Sequence, residues 1–334
     1  MKTIYFHIGC EKTGTTSIQH FLAKNRNKLA EQSIAYPLLG HHKFAQLNLP
    51  ASIDFRVKGN QPVDYYSGKN LDADHEWDVF LNFCRTTECA SIVVSAEHFS
   101  SRLNKAGIEF IQAKLKLLGE QFSWKFVIFI RRQDWFLGSS YSTAIKAGST
   151  QSFDEFFPVH LAARGRYDFD LLLSNWADVF SDENMLVKDY DAVDSGNLLD
   201  VFCATIGAQK HLLVEQQTRE NRAWDPDMLE FVRLANTPKI KQTLGANRLA
   251  FLEQVNNLQH HDQVSKHTLI SPAQRNQVLN AYSESNKKVA ARFFPEHTLF
   301  AHAKDASHYQ HSEASKLNKL DILSLFAQYF NLNT

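Results

Sequence analysis

The stretch that most constrains this chain is its start: the run Ile4-Tyr5-Phe6-His7-Ile8, then Gly9-Cys10-Glu11-Lys12-Thr13-Gly14-Thr15-Thr16-Ser17. The run is β-branched and aromatic, which favours a buried strand. Two glycines bracket a tight turn, and hydroxyl residues follow where a helix should begin. Ile18, Phe21, Leu22 and Leu29 share one face at helical spacing, which predicts a helix from about Thr16 to Ala30. A strand, a glycine-bracketed turn and a helix N-terminus together make an anion site. Free backbone N–H groups point outward there, and the helix dipole adds partial positive charge.

The loop differs from one that holds a nucleoside triphosphate. That loop reads G-x-x-x-x-G-K-[ST], with its lysine on the β- and γ-phosphates and Mg²⁺ on the following hydroxyl. Gly9 and Gly14 have the right separation, but Thr15 stands where the lysine belongs, and the loop's lysine is Lys12. One lysine on the crest with hydroxyls below suits a single phosphate beside a group of low charge. The plainer alternative is a hydroxyl-rich helix cap without a ligand.

Lys12-Thr13-Gly14-Thr15-Thr16 resembles the 5′-phosphosulfate loop of sulfotransferases that use 3′-phosphoadenosine-5′-phosphosulfate (PAPS), which follows their first strand. The resemblance implies that Lys12, Thr13, Gly14, Thr15, Thr16 and Ser17 hold the 5′ end of PAPS. It also implies the P-loop NTPase-like sulfotransferase fold.

The rest of the N-terminal part supports an α/β class on its own pattern. Ser33–Tyr36 suggests a short strand, and Leu38–Lys69 reads as irregular, with Pro50, Pro62 and three glycines. Helices are predicted over Asp72–Thr86 and Lys105–Leu118, and strands over Ser91–Ser95, Phe126–Ile130 and Asn184–Tyr190. Alternation of this kind means βαβ units and a mostly parallel β-sheet flanked by helices. Ligands bind beyond the carboxyl ends of such strands. The Lys12 loop, Glu97 and Arg131 should therefore converge on one edge.

Arg131 leaves the strand Phe126–Ile130, and Ser139 lies eight residues on, about two turns into the next helix. An arginine fork and a hydroxyl at that spacing suit one phosphate. Arg131-Arg132-Gln133-Asp134 through Ser139 resembles the 3′-phosphate motif of the same family in its bacterial form, which implies cofactor contacts from Arg131 and Ser139. Arg132 and Ser140 have the same spacing, so the register is open. Tyr167 to Phe180 resembles a helix of bacterial carbohydrate-type sulfotransferases. Asn221 and Arg222 fall at an asparagine-containing turn of the family, although a surface arginine is the simpler reading.

After Gly207 the pattern becomes helical, over Pro226–Ala235, Arg248–Leu258, Pro272–Phe294 and Leu317–Phe330. This divides the chain into a PAPS-binding α/β domain at 1–214 and a C-terminal helical extension at 215–334. Loops 38–70 and 145–165, with the helical tail, are expected to shape the acceptor pocket.

Composition narrows the partners. Lysine plus arginine and aspartate plus glutamate both number 36, so no global field favours nucleic acid or an acidic membrane surface. Four cysteines without metal spacing fit a reducing, cytoplasmic setting. No stretch approaches the ~20 apolar residues of a membrane span, and the direct entry into a strand leads to the expectation of no signal peptide. The histidines of the tail show no pattern of metal ligands.

The chemistry implied by the family is in-line transfer of a sulfuryl group from PAPS to a hydroxyl, leaving 3′,5′-ADP. By analogy with phosphoryl transfer, the protein supplies position and charge. A sulfuryl group carries less charge than a phosphoryl group, so no metal is required. Lys12 would neutralise the leaving phosphate. The acceptor hydroxyl needs a base, with Glu97 ahead of His42 and then His98, which strand alternation would turn away. A salt bridge is the competing role for Glu97. The expected acceptor is a carbohydrate, as a glycan or glycolipid. The alternatives are a P-loop-type small-molecule kinase and a non-catalytic nucleotide-binding protein. Oligomeric state stays open.

Overall fold

The structure, a computed structural model, describes residues 1–58, 69–193, 197–214, 224–248, 250–253, 267–303 and 310–311. Contacts divide the chain into two compact units. The first comprises Met1–Arg131, Asp168–Glu220 and Glu284–Ala303, and the second Arg132–Tyr167, Asn221–Ser283 and Lys304–Thr334.

The first unit is built on a five-stranded sheet of β1 (Lys2–His7), β2 (Ile34–Ala35), β3 (Ser91–Ser95), β4 (Phe122–Ile130) and β5 (Met185–Asp189). The order is β2-β3-β1-β4-β5, and every pairing is parallel. This is the α/β class expected. β1 lies at the centre, with His7 opposite Ser95 on one side and Val127 on the other. The chain crosses to one side of β1 for β2 and β3, then to the other for β4 and β5. The carboxyl end of β1 is therefore the switch point, where such sheets open a crevice.

Both faces are covered, which explains the unbroken apolar runs of β3 and β4. On one face, Ile18, Phe21, Leu22, Phe202 and Ile206 pack with Val93, Val127 and Phe129. They come from helices Thr15–Lys24 and Leu198–Ile206. On the other, Phe6 stacks on Phe126 and meets Trp77, Phe80 and Phe99, and Phe126 meets Trp176 and Phe180. Fully burying a ring of this size contributes about 1.5–3 kcal/mol. Trp176 and Phe180 are thus core, as their helical spacing suggested.

Several elements differ from expectation. The first helix is two, Thr15–Lys24 and Arg26–Glu31. Buried Asn25 breaks it by pairing with Val214: Asn25 Nδ2 donates to that carbonyl at 3.1 Å, and Oδ1 accepts its N–H at 2.7 Å. The span Leu38–Lys69 is not irregular throughout, because Asn48–Lys58 is a helix. Its proline, Pro50, sits in the first turn, where a missing N–H is tolerated. Leu49 and Ile53 are fully buried, and the Leu49 carbonyl accepts from Trp77 Nε1 at 3.3 Å. The predicted helix Pro272–Phe294 divides at Tyr282 into Pro272–Ala281 and Ser283–Phe293. β4 starts four residues earlier than predicted, at Phe122.

Within the second unit, helices Gln133–Lys146, Phe153–Ala162, Pro226–Ala235, Pro238–Leu244 and Pro272–Ala281 dominate. The loop expected over 145–165 contains the helix Phe153–Ala162, started by a Ser152–Glu155 capping box. Two short strands, His267–Thr268 and Gln310–His311, pair in parallel. The predicted helix Leu317–Phe330, most of Arg248–Leu258, and Asn221 and Arg222 lie outside the described residues.

Candidate active site

The loop between β1 and helix Thr15–Lys24 is a close-packed turn. Gly9 has φ 59°, Lys12 φ 70° and Gly14 φ 76°, all in the left-handed region. Glycine enters it freely, whereas Lys12 holds it at a penalty of about 1 kcal/mol or more. Space also demands the glycines. A Cβ on Gly14 would stand 2.3 Å from Leu198 Cδ2, and one on Gly9 would stand 3.0 Å from Glu97 Cα. Gly9 thereby lets the segment after β3 approach the loop. Thr13 braces the turn, its buried hydroxyl donating to the Cys10 carbonyl at 2.6 Å.

Gly14 is the N-cap of the helix, and no side chain caps the first turn. Alternating left-handed residues and an N-terminal turn uncapped by a side chain form the kind of N–H cradle that takes an oxyanion. Thr16 and Ser17 are half-buried at this end, whereas Thr15 is buried.

Around this loop the first unit gathers charged groups from three strand ends. Arg131 follows β4, and its Nη1 donates to the Lys12 carbonyl at 3.4 Å. Its guanidinium lies over the Tyr190 ring at 5.4 Å, and Nε is 3.7 Å from Asp191 Oδ1. Burial pushes the Lys12 pKa down, the Arg131 charge adds to this, and Glu97 opposes it. Lys12, Arg131 and Glu97 thus share one electrostatic environment at the carboxyl ends of β1, β3 and β4. The convergence expected from topology is found for these three residues.

Glu97 does not stand in an extended strand. β3 ends at Ser95, and Glu97, at φ −67° and ψ −19°, opens the short helix His98–Arg102. Strand alternation therefore no longer governs how Glu97 and His98 point. The Glu97 side chain is held from the facing helix, where Gln19 Nε2 donates to its Oε2 at 2.8 Å. Gln19 is 4% exposed. Burial pushes the His98 pKa down, against the opposing charges of Glu97 and Asp54. The Nδ1 of His42 accepts the Ala45 N–H at 2.8 Å and the Phe44 N–H at 3.4 Å, which shapes the 42–45 turn.

The second unit bears on the open register. Arg132 Nε and Nη2 donate to the two oxygens of buried Asp134 at 2.8 and 2.9 Å, and Arg275 pairs with the same carboxylate. The Ser140 hydroxyl is buried and donates to the Phe136 carbonyl at 2.9 Å. Arg132 and Ser140 are thus engaged inside their own unit. Ser139 lies half-buried on the same helix, Gln133–Lys146.

Sequence reasoning missed Gln19, Tyr190, Asp191 and Leu198, which position the loop, Glu97 and Arg131. Gln19 carries one readable signal, since it is a polar residue between the core positions Ile18 and Phe21. Among the described residues no group of three histidine, cysteine, aspartate or glutamate side chains could hold a metal ion. No described helix is long and apolar enough to cross a membrane.

No protein-family model matches the chain, and no curated protein is similar to it. Among solved structures it is similar to a sulfotransferase from Alicyclobacillus acidocaldarius, at 14% identity and a TM-score of 0.43. That alignment covers 79% of this chain and 98% of the other.

Proposed function

We propose that this chain is a sulfotransferase that moves the sulfuryl group of PAPS to a hydroxyl of a carbohydrate acceptor, a glycan or glycolipid. The observation that carries this reading is the grouping of Lys12, Arg131 and Glu97 around an N–H cradle at the sheet's switch point. A cradle with a crest lysine, and threonine where a triphosphate site needs lysine, favours a phosphosulfate.

In this reading the Thr13–Ser17 segment binds the 5′-phosphate through backbone N–H groups and the hydroxyls of Thr16 and Ser17. Arg131 supplies positive charge for the second phosphate of the nucleotide, and Ser139 is its partner in the family motif. The acceptor oxygen attacks sulfur, and the bond from sulfur to the bridging phosphate oxygen breaks. Lys12 offsets the charge left on 3′,5′-ADP. The acceptor's proton passes to Glu97. We assign the base to Glu97 over His42, because Glu97 shares the electrostatic environment of Lys12 while His42 Nδ1 serves its own turn.

Thermal unfolding with ligands tests this reading. 3′,5′-ADP should raise the midpoint, and ATP with Mg²⁺ should raise it less. Lys12→Ala should keep the fold and lose transfer of labelled sulfate. A chain stabilised by ATP with Mg²⁺ and indifferent to 3′,5′-ADP would overturn the proposal.

A further inference from the structure

Helix Thr15–Lys24 carries a second feature beyond the loop. Thr16, His20 and Lys24 recur at four-residue spacing, so they form one stripe that descends from the loop. At 1.5 Å per residue the stripe is ~12 Å long. Its lower part is one wall of a cleft of about 550 Å³, lined by His20, Ala23, Lys24 and Arg26 against Leu38, Lys43 and Phe44. None of these lining residues is acidic.

The opposite wall is fixed in place. Arg26 donates to the carbonyls of Tyr36 at 3.3 Å and Lys43 at 2.7 Å, and its guanidinium lies over the Tyr36 ring at 5.4 Å. The Tyr36 hydroxyl donates to the Phe44 carbonyl at 2.5 Å. The 36–44 segment is thereby clamped to Arg26, at the start of helix Arg26–Glu31. Phe44 lies against His20, with ring centroids 4.0 Å apart, yet it stays 37% exposed, and Leu38 is 63% exposed. A clamped wall that presents an aromatic ring among cationic side chains is suited to a flat ligand with a negative end.

We propose that this cleft is the acceptor subsite and that it takes an acceptor bearing an anionic group roughly 12 Å from the hydroxyl that is modified. The assignment of the cleft to an acceptor rests on the sulfotransferase reading. The hydroxyl lies at the Lys12 end of the stripe, a ring of the acceptor covers Phe44, and the anion meets Lys43 and Lys24 at the far end.

Two matched probes test it: 4-carboxyphenyl β-D-glucopyranoside and neutral 4-(hydroxymethyl)phenyl β-D-glucopyranoside. Binding is measured on the full chain by calorimetry, with and without 3′,5′-ADP. The carboxylate compound should bind about fivefold tighter, the effect of one partly exposed charge pair. Lys43→Glu should abolish that preference, and Phe44→Ala should weaken both compounds alike. Equal affinity for the two, a preference that survives Lys43→Glu, or binding of neither would overturn the inference. Failure of 3′,5′-ADP to bind in the same samples would instead count against the sulfotransferase reading, since the two sugars report on the cleft without the nucleotide.

Discussion

Gln19 holds Glu97 by one oxygen. The amide Nε2 of this buried residue donates to Glu97 Oε2 at 2.8 Å. A bond of this kind fixes the rotamer of a base. If Glu97 accepts the acceptor's proton, Gln19→Leu should lower turnover about tenfold. Affinity for 3′,5′-ADP should stay the same. Glu97→Gln should lower turnover by about 10²–10⁴. A Glu97→Gln enzyme with intact turnover would remove the carboxylate from the mechanism.

Arg131 and Arg132 are neighbours with different surroundings, so their substitutions should separate. Arg131 reaches the Lys12 carbonyl, whereas Arg132 is bidentate on Asp134. Loss of a charge-assisted contact to phosphate is worth about 1.5–3 kcal/mol. Arg131→Ala should therefore weaken 3′,5′-ADP about 10- to 100-fold, and adenosine 5′-phosphosulfate much less. Arg132→Ala should leave nucleotide affinity alone and lower stability by about 1–3 kcal/mol, since buried Asp134 loses a bidentate partner and is left with its pairing to Arg275. The reverse pattern in titration and urea unfolding would place the phosphate contact on Arg132.

The contrast between these arginines shows where sequence reading ends. Strand, turn and helix at 1–17 were legible because each local signal agreed: β-branched residues, two glycines, then hydroxyls. Arg131, Glu97 and Lys12 could be brought together from topology alone, because parallel strands place their carboxyl ends on one edge. The pairing of Arg132 with Asp134 was not legible, since the same carboxylate is shared with Arg275, 141 residues away. The helix Asn48–Lys58 was hidden for a related reason. Its stability comes from burying Leu49 and Ile53, and Pro50 argues locally against it. Asn25 was read as one more helical residue, although its partner Val214 turns it into a break.

Gly14 has two reasons to be glycine, and they can be told apart. Its φ of 76° strains any other residue, and a Cβ would stand 2.3 Å from Leu198 Cδ2. Gly14→Ala should lower stability by at least about 2 kcal/mol in urea unfolding. Leu198→Ala should itself lower stability by about 2–5 kcal/mol through the cavity left. Together they should lower it by less than the sum, because the smaller residue at 198 relieves the collision. Strict additivity would mean that the backbone angle accounts for the whole effect.

His7 should make the fold acid-sensitive. It is fully buried at the end of β1, its Nδ1 is 2.7 Å from the Ser95 hydroxyl, and Phe129 and Phe202 meet its ring edge to face. Burial lowers its pKa from 6.5 to about 3. Between those values the unfolded chain binds a proton at this site and the folded chain does not. Stability contributed here is therefore complete above pH 6.5 and declines as pH falls toward 3. The slope is about 1.4 kcal/mol per pH unit, so about 2 kcal/mol is lost by pH 5. His7→Gln removes the titrating group and keeps a polar partner for Ser95. Urea unfolding at pH 7 and pH 5 should show a smaller drop for His7→Gln than for the parent chain, by about that amount. Equal drops in the two proteins would mean that His7 is protonated in the folded state at pH 5, and that its packing against Phe129 and Phe202 admits a charge.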